Sequence, residues 1–79
     1  MAMTSPSDFS LALTIVGDVM VRGAASHPGD DWRAYPPAFH VAKAERHVRL
    51  YREGDKSEPH LAHAATRLLM ALELSCERP

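Results

Sequence analysis

The sequence predicts an all-α fold of three helices whose last two form an antiparallel hairpin. Residues 38–53 contain neither Gly nor Pro and carry Val41, Ala44, Val48 and Tyr51 at i, i+3, i+7 and i+10, the spacing of a helix face. HLAHAATRLLMALEL is a second unbroken run of helix formers. Two clusters of turn residues, HPGDDWRAYPP and GDKSEP, separate these runs from each other and from an apolar N-terminal segment. Helices are expected at about 8–24, 38–54 and 59–75, with a loop over 25–37, all in one domain spanning 1–79.

The first segment starts at Ser5-Pro6-Ser7-Asp8, where Ser7 or Asp8 can accept a hydrogen bond from a free N–H of the first turn. On residues alone the run that follows has two readings. Phe9, Leu11, Leu13 and Ile15 alternate as in a strand, with Gly17-Asp18 as a turn. Leu13, Val16, Val19, Met20 and Gly23 instead follow helical spacing, with Gly23 as the stop. The loop after it is expected to be pinned to the core by Trp32 and Tyr35.

The second helix is expected to end at Gly54, and Pro59 to take the first helical position of the third, after a cap at Ser57 or Glu58. So short a turn makes the two helices antiparallel neighbours. On the third helix Leu61, Ala65, Leu68 and Leu72 make one face, read as the core stripe. His60, His63, Arg67, Met70 and Leu74 gather on another. With little of that helix fully polar, burial on two sides is expected, the second by a dimer or higher oligomer.

Composition removes several function classes. Nine Lys and Arg against ten Asp and Glu leave no basic excess of the kind that tracks a phosphate backbone, so a nucleic-acid partner is not expected. The single cysteine, Cys76, can form neither an internal disulfide nor a zinc ribbon, and an inert thiol is the default. No basic leader or long apolar run is read in MAMTSPSDF or after it, so the expectation is a cytoplasmic protein without a membrane partner.

Five histidines in 79 residues are the chemical anomaly. His40 and His47 are seven apart, hence on one helix face, and His60, His63 and Arg67 form a stripe on the next helix. A hairpin could therefore gather four imidazoles and two guanidiniums, Arg46 and Arg67. Imidazole is a metal ligand and a proton carrier at neutral pH, and the guanidinium fork fits phosphate. With Asp55, Glu58 and Glu45 nearby, the set suits binding or cleavage of a phosphate ester or anhydride, for which a divalent metal is a candidate cofactor. The same residues would also serve a buried hydrogen-bond network that merely locks the helices together.

The order VMVRGA, DDWR, AKAERHVRLYREGD, HLAHAATRLLMALEL resembles a small phage- and prophage-associated family, the N-terminal domain of dATP/dGTP diphosphohydrolase. The similarity covers about residues 11–74, and its most specific parts are Arg46-His47, Gly54-Asp55 and His60-Leu61-Ala62-His63-Ala64. The resemblance implies a helix for the first segment. It further implies a nucleotide phosphohydrolase, or its nucleotide-binding domain, acting on purine deoxynucleoside triphosphates, in the host cytoplasm if phage-encoded.

In that reading His47, His60 and His63 are catalytic residues or metal ligands, Asp55 is the contributing carboxylate, and Arg46 and Arg67 hold phosphate. The family commonly has a Lys-Tyr pair after Gly-Ala where this chain has Ala25-Ser26-His27, and Asn at the position of Thr66. The Glu-x-x-Glu and Glu-x-x-Asp magnesium pattern of all-α nucleoside triphosphate pyrophosphohydrolases is absent. The competing expectation is a small non-enzymatic phage protein that inhibits or regulates a host macromolecule, its histidines only fixing the hairpin.

Overall fold

The computed structural model describes residues 5–77, so the reading of the first four residues lies outside it. Three helices, α1 (Ser10–Ser26), α2 (Pro37–Arg52) and α3 (His60–Glu77), account for most of the chain, with short 3-10 turns at Pro6–Phe9 and Trp32–Ala34. There is no strand among the described residues, so the helical alternative for the first segment is the one the chain adopts.

The N-terminal cap lies earlier than Ser7 or Asp8. Ser5 accepts from the Ser7 N–H at 3.2 Å while Asp8 accepts from the Ser5 N–H at 3.2 Å, a reciprocal box that starts the 3-10 turn leading into α1. Nor does Gly23 end the helix. It continues to Ser26, and the His27 N–H closes the last turn on the Gly23 carbonyl at 3.0 Å. Gly23 does not take a positive φ, unlike Gly29 and Gly54, and stays helical.

Gly54, with φ of 84°, does supply the left-handed residue that stops α2. The turn behind it is tied by Asp55, whose carboxylate accepts from the Ser57 N–H at 2.8 Å and from the Ser57 hydroxyl. Pro59 precedes α3 rather than opening it. Its carbonyl accepts the His63 N–H at 3.0 Å, the first bond of that helix. His40 bonds Arg67 and His47 bonds His60, so positions advance along α2 as they retreat along α3, and the pair is antiparallel as expected.

The faces of both hairpin helices are the reverse of the predicted ones. Val48 is exposed, as are Val41 and Tyr51, while on α3 Leu61, Leu68 and Leu72 face outward, Leu72 at 61% exposure. What α2 buries is His40, Ala44 and His47; what α3 buries is His60, Ala64, Thr66, Ala71 and Leu74. The physical reason is distance. Alanines at 44, 64 and 71 let the two backbones approach closely, and imidazoles fill the remaining space because each finds a hydrogen-bond partner there. Only Ala44 belongs to both the predicted stripe and the real one.

α1 packs against α3 and stands clear of α2. Val16 is its only buried residue, and Leu11 is 82% exposed. Over Pro6–Ser26 the chain reaches a mean hydropathy of 1.3 in its most apolar 18-residue window, so by length and composition this segment could cross a membrane. The expectation that no such run exists looked for unbroken apolar residues, whereas isolated Ser, Thr and Gly, with Asp18 and Arg22, still leave the segment apolar on average. The loop is fastened to α3 and braced within itself. Arg33 donates two bonds to the Glu77 carboxylate at 2.6 and 2.8 Å, and Tyr35 donates to Asp30 at 3.0 Å. Cys76 is an exposed free thiol.

Candidate functional site

Two polar clusters lie along the inner seam of the hairpin. At the loop end, His40 is fully buried between α2 and α3, with one ring nitrogen committed to each side. Arg67 can only donate, so the 3.0 Å contact of its Nη1 to His40 Nδ1 makes that nitrogen the acceptor. The His40 Nε2–H then donates to the Trp32 carbonyl at 2.9 Å. Trp32, Tyr35 and Phe39 stand with their rings edge-on to His40, and Tyr35 stacks on Phe39 at 4.4 Å. One imidazole thus fastens the loop, α2 and α3 together.

At the turn end, Asp55, His60 and His47 form a chain. The Asp55 carboxylate accepts from His60 Nε2–H at 2.9 Å. With His60 neutral, its Nδ1 carries a lone pair and accepts from His47 Nδ1–H at 2.9 Å. His47 is left with an unprotonated Nε2. That atom has no protein partner, yet no buried side-chain N or O among the described residues goes unpaired, so Nε2 opens on the cavity that His47 lines. His63 stands edge-on to His47 with ring centroids 5.0 Å apart, and its Nδ1 lies 3.3 Å from Glu58 Oε1.

The surroundings set the charge states. Hydrogen bonds from Ser57 and then from His60 hold the Asp55 carboxyl well below the usual carboxylate range, so it is ionised at neutral pH. Burial, followed by the neighbouring His63, pushes the His47 imidazolium below its ordinary value; Glu58 opposes this, while His60 and Arg46 reinforce it. The folded domain therefore resists protonating His47, whereas the unfolded chain takes up that proton near pH 6.5. Its stabilising contribution is complete above that pH and is lost as the pH falls through the lower folded value. In chelator-treated buffer, thermal unfolding followed between pH 7.5 and 5.5 should show the midpoint falling with acidity, and falling less steeply in His47→Gln.

Between α1 and the hairpin lies a cavity of about 840 Å³. Trp32, Tyr35 and Phe39 line one part of it; His47, Glu58 and His63 another; Arg67, Lys43 and Arg22 supply cations. The Lys43 ammonium lies 5.3 Å from the centre of the Phe39 ring, and the Arg67 guanidinium 5.9 Å.

Of the residues expected to bind metal or phosphate or to be catalytic, His47, His63 and Arg67 reach this cavity. His60 and Asp55 stand behind His47, and both His60 ring nitrogens are engaged. Arg46 is exposed, its side chain makes no hydrogen bond among the described residues, and it does not line the cavity. Neighbours on a helix point about 100° apart, so with His47 turned inward Arg46 is carried outward. Glu58 and His40, offered by the sequence among the nearby carboxylates and the four imidazoles, prove to be the partner of His63 and a fastening residue, and Lys43 was not singled out from sequence. A carboxylate five residues before His63, across a helix start, has no fixed spacing to betray it.

The model of the dATP/dGTP diphosphohydrolase N-terminal family matches residues 4–79, nearly the whole chain. The chain belongs to that family. No curated protein and no solved structure matches it. In this diphosphohydrolase N-terminal domain, Arg46-His47, Gly54-Asp55 and His60-Leu61-Ala62-His63 thus acquire distinct physical roles. They are one inward imidazole, a helix stop with its tying carboxylate, and two imidazoles of which one supports His47 and one meets Glu58.

Proposed function

We propose that this domain binds a purine deoxynucleoside triphosphate in the cavity between α1 and the hairpin, as the nucleotide-binding part of a hydrolase that releases diphosphate. The observation that carries the reading is the placing of Arg67 and Lys43 beside the stacked Tyr35–Phe39 pair in one cavity. A nucleotide needs both kinds of surface, an aromatic face for the base and cations for the phosphates. Arg67 spends one N–H on His40 and has four left to offer. Family membership supports the same substrate class, and the cavity is of a size that holds a small ligand.

The test is calorimetric titration with dATP, dGTP, dCTP and dTTP. The purine triphosphates should bind and the pyrimidine ones bind more weakly. Lys43→Met, at an exposed position, should weaken binding about tenfold, the worth of one charge-assisted hydrogen bond. Heat-free titrations with both purine nucleotides, together with unchanged melting temperatures, would sink the reading.

One observation favours a second reading. Val41, Val48, Leu68 and Leu72 present large apolar side chains to solvent on the hairpin's outer side, and Val48 and Leu68 share a shallow groove with Arg49 and Glu53. Such a surface suits a protein partner, a further copy of the chain or a host macromolecule, with the histidines serving only the hairpin. In that case nucleotides leave the domain unaffected.

A further inference from the structure

We propose that His47, Glu58 and His63 are the three protein ligands of a divalent transition-metal site whose fourth position opens on the cavity. One potential ligand atom from each of the three lies within 4.8 Å of the other two. The Glu58 Oε1 to His63 Nδ1 separation of 3.3 Å is longer than the roughly 2.7–2.9 Å of a charge-assisted hydrogen bond. It matches the edge of a tetrahedron, about 3.3–3.4 Å, that follows from metal–ligand bonds of about 2.0–2.1 Å. Two residues therefore already stand at ligand spacing, and the third must close in by a side-chain adjustment.

His47 supplies the independent observation. Its side chain is more than nine-tenths buried, yet Nε2, the nitrogen pointing away from His60, has no protein partner and faces the cavity. An imidazole this deeply set that turns a bare nitrogen to a cavity leaves a lone pair free for whatever enters there. Here the hydrogen-bond chain itself produces the bare state when His60 is neutral. Asp55 accepts from His60, His60 accepts from His47, and the last lone pair in the chain falls on His47 Nε2. A metal-binding histidine usually has its second nitrogen held by a carboxylate or carbonyl that fixes the tautomer, and this chain inserts a second imidazole between the carboxylate and the ligand.

His60 and Asp55 are then positioning residues and not ligands. The ligand set also selects the metal. Two imidazoles and one carboxylate suit Zn²⁺ and its neighbours Co²⁺ and Ni²⁺, whereas Mg²⁺ takes an all-oxygen shell. Three protein ligands with one open position is the pattern of sites where zinc does chemistry on water or phosphate. The inference deepens the nucleotide reading, whose cavity it shares, but its test uses no nucleotide, so either can fail alone.

The experiment is titration of the chelator-treated full chain with Co²⁺, followed by the visible absorption of four-coordinate cobalt and by displacement with Zn²⁺. Binding should saturate at one equivalent per chain. Glu58→Gln, at an exposed position where folding is not at stake, and His63→Gln should each weaken it at least tenfold; Glu45→Gln, on the outer side of α2, should not change it.

Asp55→Asn should weaken binding about tenfold while leaving the spectrum of the saturated site intact, as expected of a residue acting through His47. Ring nitrogen shifts of His47 should report the Nδ1–H form in the wild-type chain and a mixture in Asp55→Asn. Absence of cobalt bands and of zinc binding in the folded wild-type chain overturns the proposal. So does wild-type affinity in both Glu58→Gln and His63→Gln.

Discussion

His40→Ala is expected to cost the domain about 3 kcal/mol or more, read as a large drop in the urea midpoint at unchanged slope. Three losses add. The ring is fully buried among Trp32, Tyr35 and Phe39, so its removal leaves a cavity that the stacked aromatic pair can only partly close. The Trp32 carbonyl loses its donor. The Arg67 guanidinium, part-buried, loses the acceptor that orients it.

A small helical domain has only about 3–5 kcal/mol to lose, so most molecules of the variant should be unfolded at physiological temperature. His40→Leu comes close to the volume and forfeits mainly the hydrogen bonds, and about 1–3 kcal/mol is expected for it. A His40→Ala midpoint close to wild type would mean that the loop is held by something other than this ring.

The second large effect lies at the other end of the seam. His60→Leu strips His47 Nδ1 of its acceptor and Asp55 of its imidazole, and about 2 kcal/mol of destabilisation is expected. His47→Leu leaves His60 Nδ1 unmatched and should cost a similar amount. The double variant leaves neither buried imidazole behind, so its cost should fall short of the sum by about 1–2 kcal/mol. Additive costs in a urea-denaturation cycle would show that the two rings are not energetically joined. The single variants also separate support from ligation, since His60→Leu retains all three proposed ligands and His47→Leu does not.

The hairpin was legible because its signals are local. A helical run free of Gly and Pro, a left-handed glycine at 54 and a short polar turn leave few other arrangements for residues 38–75. Which side of each helix faces inward was not legible from hydrophobicity. Ranking residues by apolarity puts Val48, Leu61, Leu68 and Leu72 inside, but the seam is built of alanines and paired histidines. Imidazole can be buried cheaply only when each nitrogen meets a partner or opens on a cavity, and that depends on the opposite helix, which no single-helix pattern contains.

A signal was nonetheless present. His40, Ala44 and His47 repeat at i, i+4 and i+7, and His60, Ala64, Arg67, Ala71 and Leu74 run in the same period, so two helices carry one small-and-polar stripe each. For the site, sequence placed His47, His60, His63, Arg67 and Asp55 on the correct hairpin. It could not order Asp55, His60 and His47 into a line, because that order is set by which tip of each ring meets the next.

α1 touches α3 and not α2, and the gap on its unsupported side is the cavity. The hairpin is held by contacts close in sequence and by its row of rings, whereas α1 is held by one shallow flank. Its amide protons therefore belong to the part of the molecule that opens most readily, and whatever occupies the cavity bridges α1 to α2 as a third side of the bundle. Filling it would slow hydrogen exchange along α1 far more than along the hairpin, so that occupancy is written into the mobility of a helix with few buried contacts of its own.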